Sequence, residues 1–395
     1  MLINKLKGKQ RDFFLFCLSG LFLGVYSGLY EPTFNNYIAE VFNVSEATRG
    51  GLEFFRELPG FLVVIFAGML IALANIRIAM IPLAVMSLGL LGQGFLSPSL
   101  KWAVLWMIMW SIGGHLYMPI NNSILVNLAE PHEVGRKIGI WSGINTASSL
   151  LGFLLVWLGV RYLSINYHLI FGMAALAVAL AAICLLGIRV DKKKQPEKAF
   201  LFKKKYTLYY LLNVLFGARK QIFLTFGPWV LIKIFNQPVT TFAILGLVGT
   251  ALGIFFKPAL GLAIDRWGEQ IIIMLESLAL VLVCLGYGFA GSIFPAGVAI
   301  FIIYACFIGD NLLFACQMAR ATYLNKIVEH KADLTPTLSM GVSVDHAVSM
   351  TVPFFAGLLW EAAGYQYVFL LAAALALINF WTATYIKTDH DQAEA

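Results

Sequence analysis

The chain has 395 residues, of which 60% are hydrophobic and only 12% charged, with a mean hydropathy of +0.80, whereas a soluble domain is about one-quarter charged. That composition excludes a soluble enzyme or nucleic-acid-binding domain. The net charge of +7 fits a basic segment lying beside anionic lipid rather than a polynucleotide partner.

A bilayer-spanning helix needs about 20 mostly apolar residues, and stretches of that length follow one another with only short polar breaks. They predict twelve spans, over 13–39, 47–73, 76–96, 102–128, 137–161, 166–189, 207–235, 239–265, 270–291, 295–323, 337–361 and 366–386. The first follows "MLINKLKGKQR", is too long for a signal-peptide core and is expected to be retained. Lys5, Lys7, Lys9 and Arg11 precede it, and "RVDKKKQPEKAFLFKKK" separates spans six and seven, while the opposite loops carry almost no basic residues. The positive-inside rule then places both termini and the central segment in the cytoplasm, with the chain in a plasma or inner membrane. The expected organisation is an N-terminal six-helix bundle (1–190), a basic linker (191–206) and a C-terminal six-helix bundle (207–395). Cys17, Cys184, Cys284, Cys306 and Cys316 are scattered through apolar segments without metal-ligand spacing, so they read as packing residues, and neither metal nor cofactor is expected.

Charges inside these spans are costly, about 2.5–3.5 kcal/mol each at the bilayer centre on insertion scales, and so belong on interior faces. In span one, "YEPTFNNY" offers Tyr30 and Tyr37 as candidate cavity walls. In span two, "GLEFFRELPG" places Glu53, Arg56, Glu57 and Gly60 at i, i+3, i+4 and i+7 on one stripe, where neighbouring opposite charges partly neutralise each other. Span four carries His115 and Asn122. Span seven, "FGARKQIFLTFGPW", puts Arg219 and Lys220 about 20 Å from its cytoplasmic start, beyond the reach of snorkelling. Consecutive residues point about 100° apart, so one lines a cavity and the other meets a carboxylate or a carbonyl. Lys257 in span eight snorkels or pairs with Asp345. Glu276 in span nine has no evident role. Span ten carries Asp310, Asn311, Gln317 and Arg320, and span eleven Asp345 and His346. Asp345 is a candidate gate partner of Arg56, Lys257 or Arg219, or a proton site.

The two halves repeat. "GHLYMPINNSILVN" aligns with "GDNLLFACQMARAT" in the register that sets Gly114 against Gly309, His115 against Asp310 and Asn122 against Gln317. Farther on, Asn145 falls opposite Asp345 and Tyr167 opposite Tyr367. After span eight, "GLAIDRWGEQ" contains a G-x-x-x-D-R-x-G pattern with Asp265 and Arg266, and its counterpart after span two, "GMLIALANIR", keeps Gly68 and Arg77 but has Ala72 in place of the aspartate. "EPHEVGRKIG", with Glu133, Gly135 and Arg136, lies between spans four and five.

With six plus six spans in parallel repeat and these loop motifs, the chain resembles the major facilitator superfamily over almost its whole length. The resemblance implies an all-α membrane protein of twelve helices in two pseudo-symmetric bundles, with spans one, four, seven and ten around a central cavity, span eleven flanking it and span nine peripheral. It implies gating roles for Asp265, Arg266 and Arg136, with Lys257 beside them. Arg56, Arg219, Lys220, Asn122, Gln317 and Tyr30 are then candidate solute contacts. Glu53, Glu57, His115, Asp310, Asp345 and His346 are candidate proton carriers, because a histidine, or a carboxylate shifted by desolvation, can exchange protons near neutrality.

The sequence has no phosphate-binding G-x-x-x-x-G-K-[ST] loop and no hydrolase or zinc signature, which points away from direct ATP drive and from enzyme activity. The expected function is secondary active transport of a small polar solute, anionic or zwitterionic because Arg56, Arg219 and Lys220 would each otherwise need a dedicated carboxylate. A proton or another ion drives it, and a monomer in the bilayer is expected. Two other readings stay open: a proton-driven exporter of amphipathic or cationic compounds, and a non-transporting receptor or assembly partner.

Overall fold

The computed structural model describes residues 8–72, 76–130, 132–188 and 201–387, and over 63–79 the backbone course alone. Lys5 and Lys7, residues 191–200 of the basic linker, the middle of "GMLIALANIR" and the side chain of Arg77 lie outside the described residues.

Long apolar runs form helices because only a helix satisfies its own backbone in hydrocarbon. In chain order they are α1 (Lys9–Phe42), α2 (Glu46–Ala72), α3 (Ile76–Phe95), α4 (Leu100–Leu128), α5 (Val134–Leu163), α6 (Tyr167–Leu186), α7 (Thr207–Lys233), α8 (Val239–Ile293), α9 (Ala296–Leu313), α10 (Gln317–Ile327), α11 (Lys331–Ala363) and α12 (Tyr365–Ala383). No strand occurs among the described residues. Eight of the helical stretches are long and apolar enough to cross a membrane.

Twelve spans and twelve α-helices correspond except in two places. Spans eight and nine form the single run α8, interrupted at Gly268, whose φ of 80° and ψ of 164° are not helical. Gly268 is the last glycine of "GLAIDRWG", and a residue with a Cβ would be strained there. Span ten is instead divided, α9 passing through a 3₁₀ turn at Phe314–Cys316 into α10.

The described residues fall into two compact units. The first draws on Met1–Asn43, Ile65–Glu197 and Pro238–Leu247, the second on Val44–Val64, Lys198–Gln237 and Val248–Ala395. The first part of α2, through Val64, therefore belongs with α7 and α11, and the first residues of α8 with the first unit. Within the first unit α1 packs against α5 and α6; within the second, α7 packs against α11 and α12. The same three-helix arrangement recurs six helices later, as the internal repeat requires.

Helices in lipid associate through close packing more than hydrophobicity, so small residues mark their contacts. At the α1–α5 crossing a Cβ on Gly28 would lie 2.0 Å from the Ser149 carbonyl oxygen, and one on Gly152 would lie 2.3 Å from the Val25 carbonyl oxygen. Both obstacles are backbone and cannot rotate aside. In the second unit a Cβ on Gly50 would collide with the Pro353 carbonyl oxygen and one on Gly357 would lie 2.5 Å from the Glu46 carbonyl oxygen, and Glu361 accepts a 3.0 Å hydrogen bond from the Ala47 amide at the start of α2.

Replacing Gly28 by Val is expected to destabilise the protein by about 1–3 kcal/mol, the usual cost of overpacking. Gly139→Ala, where a Cβ would meet nothing within 4 Å, should leave stability equal or slightly raised. Thermal unfolding of the two purified variants in detergent checks the pair.

Candidate functional site

Three consecutive residues of α7, Arg219, Lys220 and Gln221, organise the second unit. They stand about 18 Å from the start of the helix at 1.5 Å per residue, near the middle of α7. Successive side chains leave a helix about 100° apart, so the three address three different neighbours. The Arg219 guanidinium donates to Asp310 Oδ1 of α9 (2.9 Å) and to Glu276 Oε1 of α8 (2.7 Å). Lys220 donates to Asp345 Oδ2 of α11 at 2.5 Å. Gln221 donates to Glu53 Oε2 of α2 at 2.5 Å.

Around Arg219 lies a buried quartet. Glu276 bridges two arginines, receiving Arg219 on one oxygen and Arg320 on the other at 3.0 Å. Arg219, Glu276, Asp310 and Arg320 are all at most 4% exposed. Both guanidiniums also lie over aromatic rings: Arg219 is 5.2 Å from the centroids of Phe216 and Phe314, and Arg320 4.5 Å from that of Phe216. The 3₁₀ turn belongs to the same arrangement. Where span ten leaves helical geometry, Arg219 reaches the Leu313 carbonyl and Arg320 the Cys316 carbonyl, each at 3.5 Å.

A second cluster gathers on α2. Arg49 and Arg56 both pair with Glu53, at 2.6 and 2.8 Å, and Arg56 also approaches Glu57 at 3.4 Å. His346 Nδ1 of α11 is 2.9 Å from Glu57 Oε2. Whereas Arg49 and Glu53 are fully buried, the side chains of Arg56, Glu57 and His346 are 17%, 10% and 12% exposed. Lys220 and Asp345 are each 18% exposed, and Asp345 Oδ1 has no hydrogen-bond partner among the described residues. Gly217, one turn before Lys220, allows this approach, since a Cβ there would lie 2.4 Å from Asp345 Oδ1.

Several expectations change. Arg219 and Lys220 do divide into a buried and a part-exposed residue, and Lys220 is the part-exposed one. Asp345 pairs with Lys220 rather than with Arg56, Lys257 or Arg219, because α7 presents Lys220 directly to α11. Lys257 is exposed on α8 and makes no ion pair among the described residues. Tyr30 does not line an open wall: it is 5% exposed and stacked between rings. Glu276, left without a role above, is the centre of the quartet. Five cations, Arg49, Arg56, Arg219, Lys220 and Arg320, face five carboxylates, Glu53, Glu57, Glu276, Asp310 and Asp345. The dedicated carboxylates that the anionic reading took to be missing are therefore present.

His115 is half-buried on α4 with Nδ1 2.9 Å from the Ser111 carbonyl. Asn122 and Gln317 are exposed on α4 and α10, as are Asp265 and Arg266 on α8. Arg136, at the start of α5, pairs with Glu133 at 2.5 Å. The Lys137 hydrogen bond, aided by the charges of Lys137 and Arg136, holds the Glu133 carboxyl below the usual carboxylate range. Arg49 and Gln221 had no place in the sequence reading. The signal for Arg49 was its i, i+4 spacing to Glu53, hidden by its position near a helix end.

The family model described as Major Facilitator Superfamily matches residues 13–324. No curated protein sequence matches. Among solved structures, the nucleoside transporter NupG superposes with a TM-score of 0.75 at 14% identity, covering 95% of this chain and 98% of that one. A D-xylose–proton symporter gives 0.69 at 14% identity, covering 95% and 97%. An occupied, inward-facing bacterial homologue of the human lysosomal transporter Spinster gives 0.67 at 17%, covering 95% and 96%. At these identities the likeness shows the fold.

Glu276→Ala strands the buried guanidinium of Arg320, leaves Arg219 with Asp310 alone, and is expected to cost about 3–5 kcal/mol, as breaking a buried ion pair does. Adding Arg320→Met to it leaves Arg219 and Asp310 as a matched pair and should recover part of the loss. Unfolding midpoints of the single and double variants decide the point: a single variant as stable as the parent would show that the quartet does not hold these helices together.

Proposed function

The chain belongs to the major facilitator superfamily, a family of membrane-embedded transporters rather than enzymes, and we propose that it carries a small polar solute without net charge, neutral or zwitterionic, driven by a proton. The observation that carries this reading is the part-exposed Lys220–Asp345 pair near the middle of α7. A solute's acceptor would engage Lys220 and its donor Asp345, exposed in turn to the two faces of the membrane. With five cations matched by five carboxylates, an anion would have to displace a resident carboxylate or bring its own proton, whereas a neutral or zwitterionic solute leaves the balance intact.

His346 is a titratable group outside that balance, and its contact with Glu57 makes the pair our candidate for the coupling proton; a shared hydrogen bond persists whichever partner holds the proton. We place the protein in a plasma or inner membrane with both termini in the cytoplasm, on the basic residues flanking spans one and seven. The neighbours' titles name a nucleoside transporter and a D-xylose–proton symporter, in keeping with a polar solute and with proton drive.

Because the charges are balanced when the site is empty, a proton travelling with an uncharged solute carries one net positive charge. Uptake into proteoliposomes should therefore be accelerated by an inside-negative membrane potential as well as by an inward proton gradient. Glu57→Gln should abolish acceleration by the proton gradient while solute exchange persists. Electroneutral uptake of an anion, lost in Lys220→Ala, would overturn the reading, as would stabilisation of the purified protein by lipophilic cations alone in a thermal-shift panel.

A further inference from the structure

The groups above all lie in the second unit, and the first holds a different kind of surface. Along α1, Tyr26, Tyr30 and Phe34 recur every four residues and stack, with centroids 5.8 and 5.5 Å apart and interplanar angles of 30° and 25°. Trp110 of α4 extends the pile, lying 4.5 Å from Tyr30 at 27° and donating its indole N–H to the Tyr26 hydroxyl at 2.7 Å. Tyr30 and Phe34 are buried, whereas Tyr26 and Trp110 are only half-buried. The stack therefore ends at a partly uncovered aromatic edge.

From that edge α4 continues as an open strip. Gly114, one turn beyond Trp110, has nothing within 4 Å of the position a Cβ would occupy. His115 is half-buried, and Met118 (63%) and Asn122 are exposed. A strip ending in an exposed amide is poorly suited to lipid, since polar groups in a span turn toward a partner or water. Its length is set by helix rise: His115 stands about 7.5 Å beyond Trp110, and Asn122 about 18 Å. An aromatic surface at one end, space at Gly114 and polar groups farther along are the elements of a small-ligand site, which is mostly apolar with a few placed polar groups.

Building on the transporter reading, we infer that the solute contains a flat heteroaromatic ring, which continues the stack at Tyr26 and Trp110, joined to a polar part that extends past Gly114 toward His115. An offset ring placed 4.5–7 Å from its neighbour is the favoured aromatic geometry. A free monosaccharide fits less well, because hydroxyls all around its ring need polar partners that the Trp110 end offers sparsely.

Binding to the purified full chain, measured by calorimetry or thermal shift, tests this with uridine, adenosine and nicotinamide on one side and D-xylose and glycine on the other. The ring-bearing probes should bind. Trp110→Leu should weaken them at least tenfold, with Trp110→Phe retaining most of the affinity. Gly114→Leu, which fills open space and improves helix propensity, should abolish binding with the unfolding midpoint unchanged. Binding of xylose or glycine alone, or of a ring-bearing probe equally well in Trp110→Leu and Gly114→Leu, would overturn the inference. Potential-driven uptake of a ring-free solute would overturn it too while leaving the transporter reading intact; absence of binding and uptake for every solute would remove both.

Discussion

A guanidinium or carboxylate in the middle of a bilayer has no water to solvate it, so every such charge must find its counter-charge inside the protein, and that requirement sets the internal architecture of the second unit. α7 is its trunk, sending Arg219, Lys220 and Gln221 to α8 and α9, to α11 and to α2. The division of span ten into α9 and α10 belongs to the same scheme, with two arginines facing the carbonyls on either side of the 3₁₀ turn. A buried ion network is weak evidence for net stability, since desolvation offsets much of the attraction. Its clearer effect is on specificity, because few arrangements of these helices would leave every charge matched.

The two units answer the same packing problem differently. Asn145 of α5 donates to the Gly20 carbonyl of α1 at 2.9 Å. Two hundred residues later, Asp345 of α11 meets Lys220 of α7. One helix contact is thus a neutral hydrogen bond in the first unit and an ion pair in the second. Likewise His115 of α4 has its own helix's Ser111 as a partner, while Asp310 of α9 holds an arginine. Among the described residues the second unit concentrates buried matched charge, while the first presents aromatic stacking and small residues.

Much of the fold was legible because hydrophobic length in a membrane is nearly a direct readout of helices, and because Gly268 and the Asp265–Arg266 loop carry a specific pattern. The stripe of Glu53, Arg56 and Glu57 was legible too, since i, i+3 and i+4 spacing fixes neighbours within one helix. Partners on different helices were not. Which carboxylate answers Lys220 depends on the rotation of α7 and α11, and spacing along one helix does not encode the rotation of another. Glu276 escaped for a related reason: a helix assigned to the periphery can still turn one face inward, and a single carboxylate gives no periodicity from which to find that face.

The consecutive Arg219–Lys220–Gln221 also works as an angular key. With three neighbours engaged at three headings, a roll of α7 about its own axis in either direction would break every one of these bonds together, whereas a helix anchored by a single stripe can roll while giving up one contact at a time. Any movement the second unit makes must therefore carry α7 at a fixed azimuth relative to α8, α9, α11 and the first part of α2, by tilting or sliding rather than by rotation.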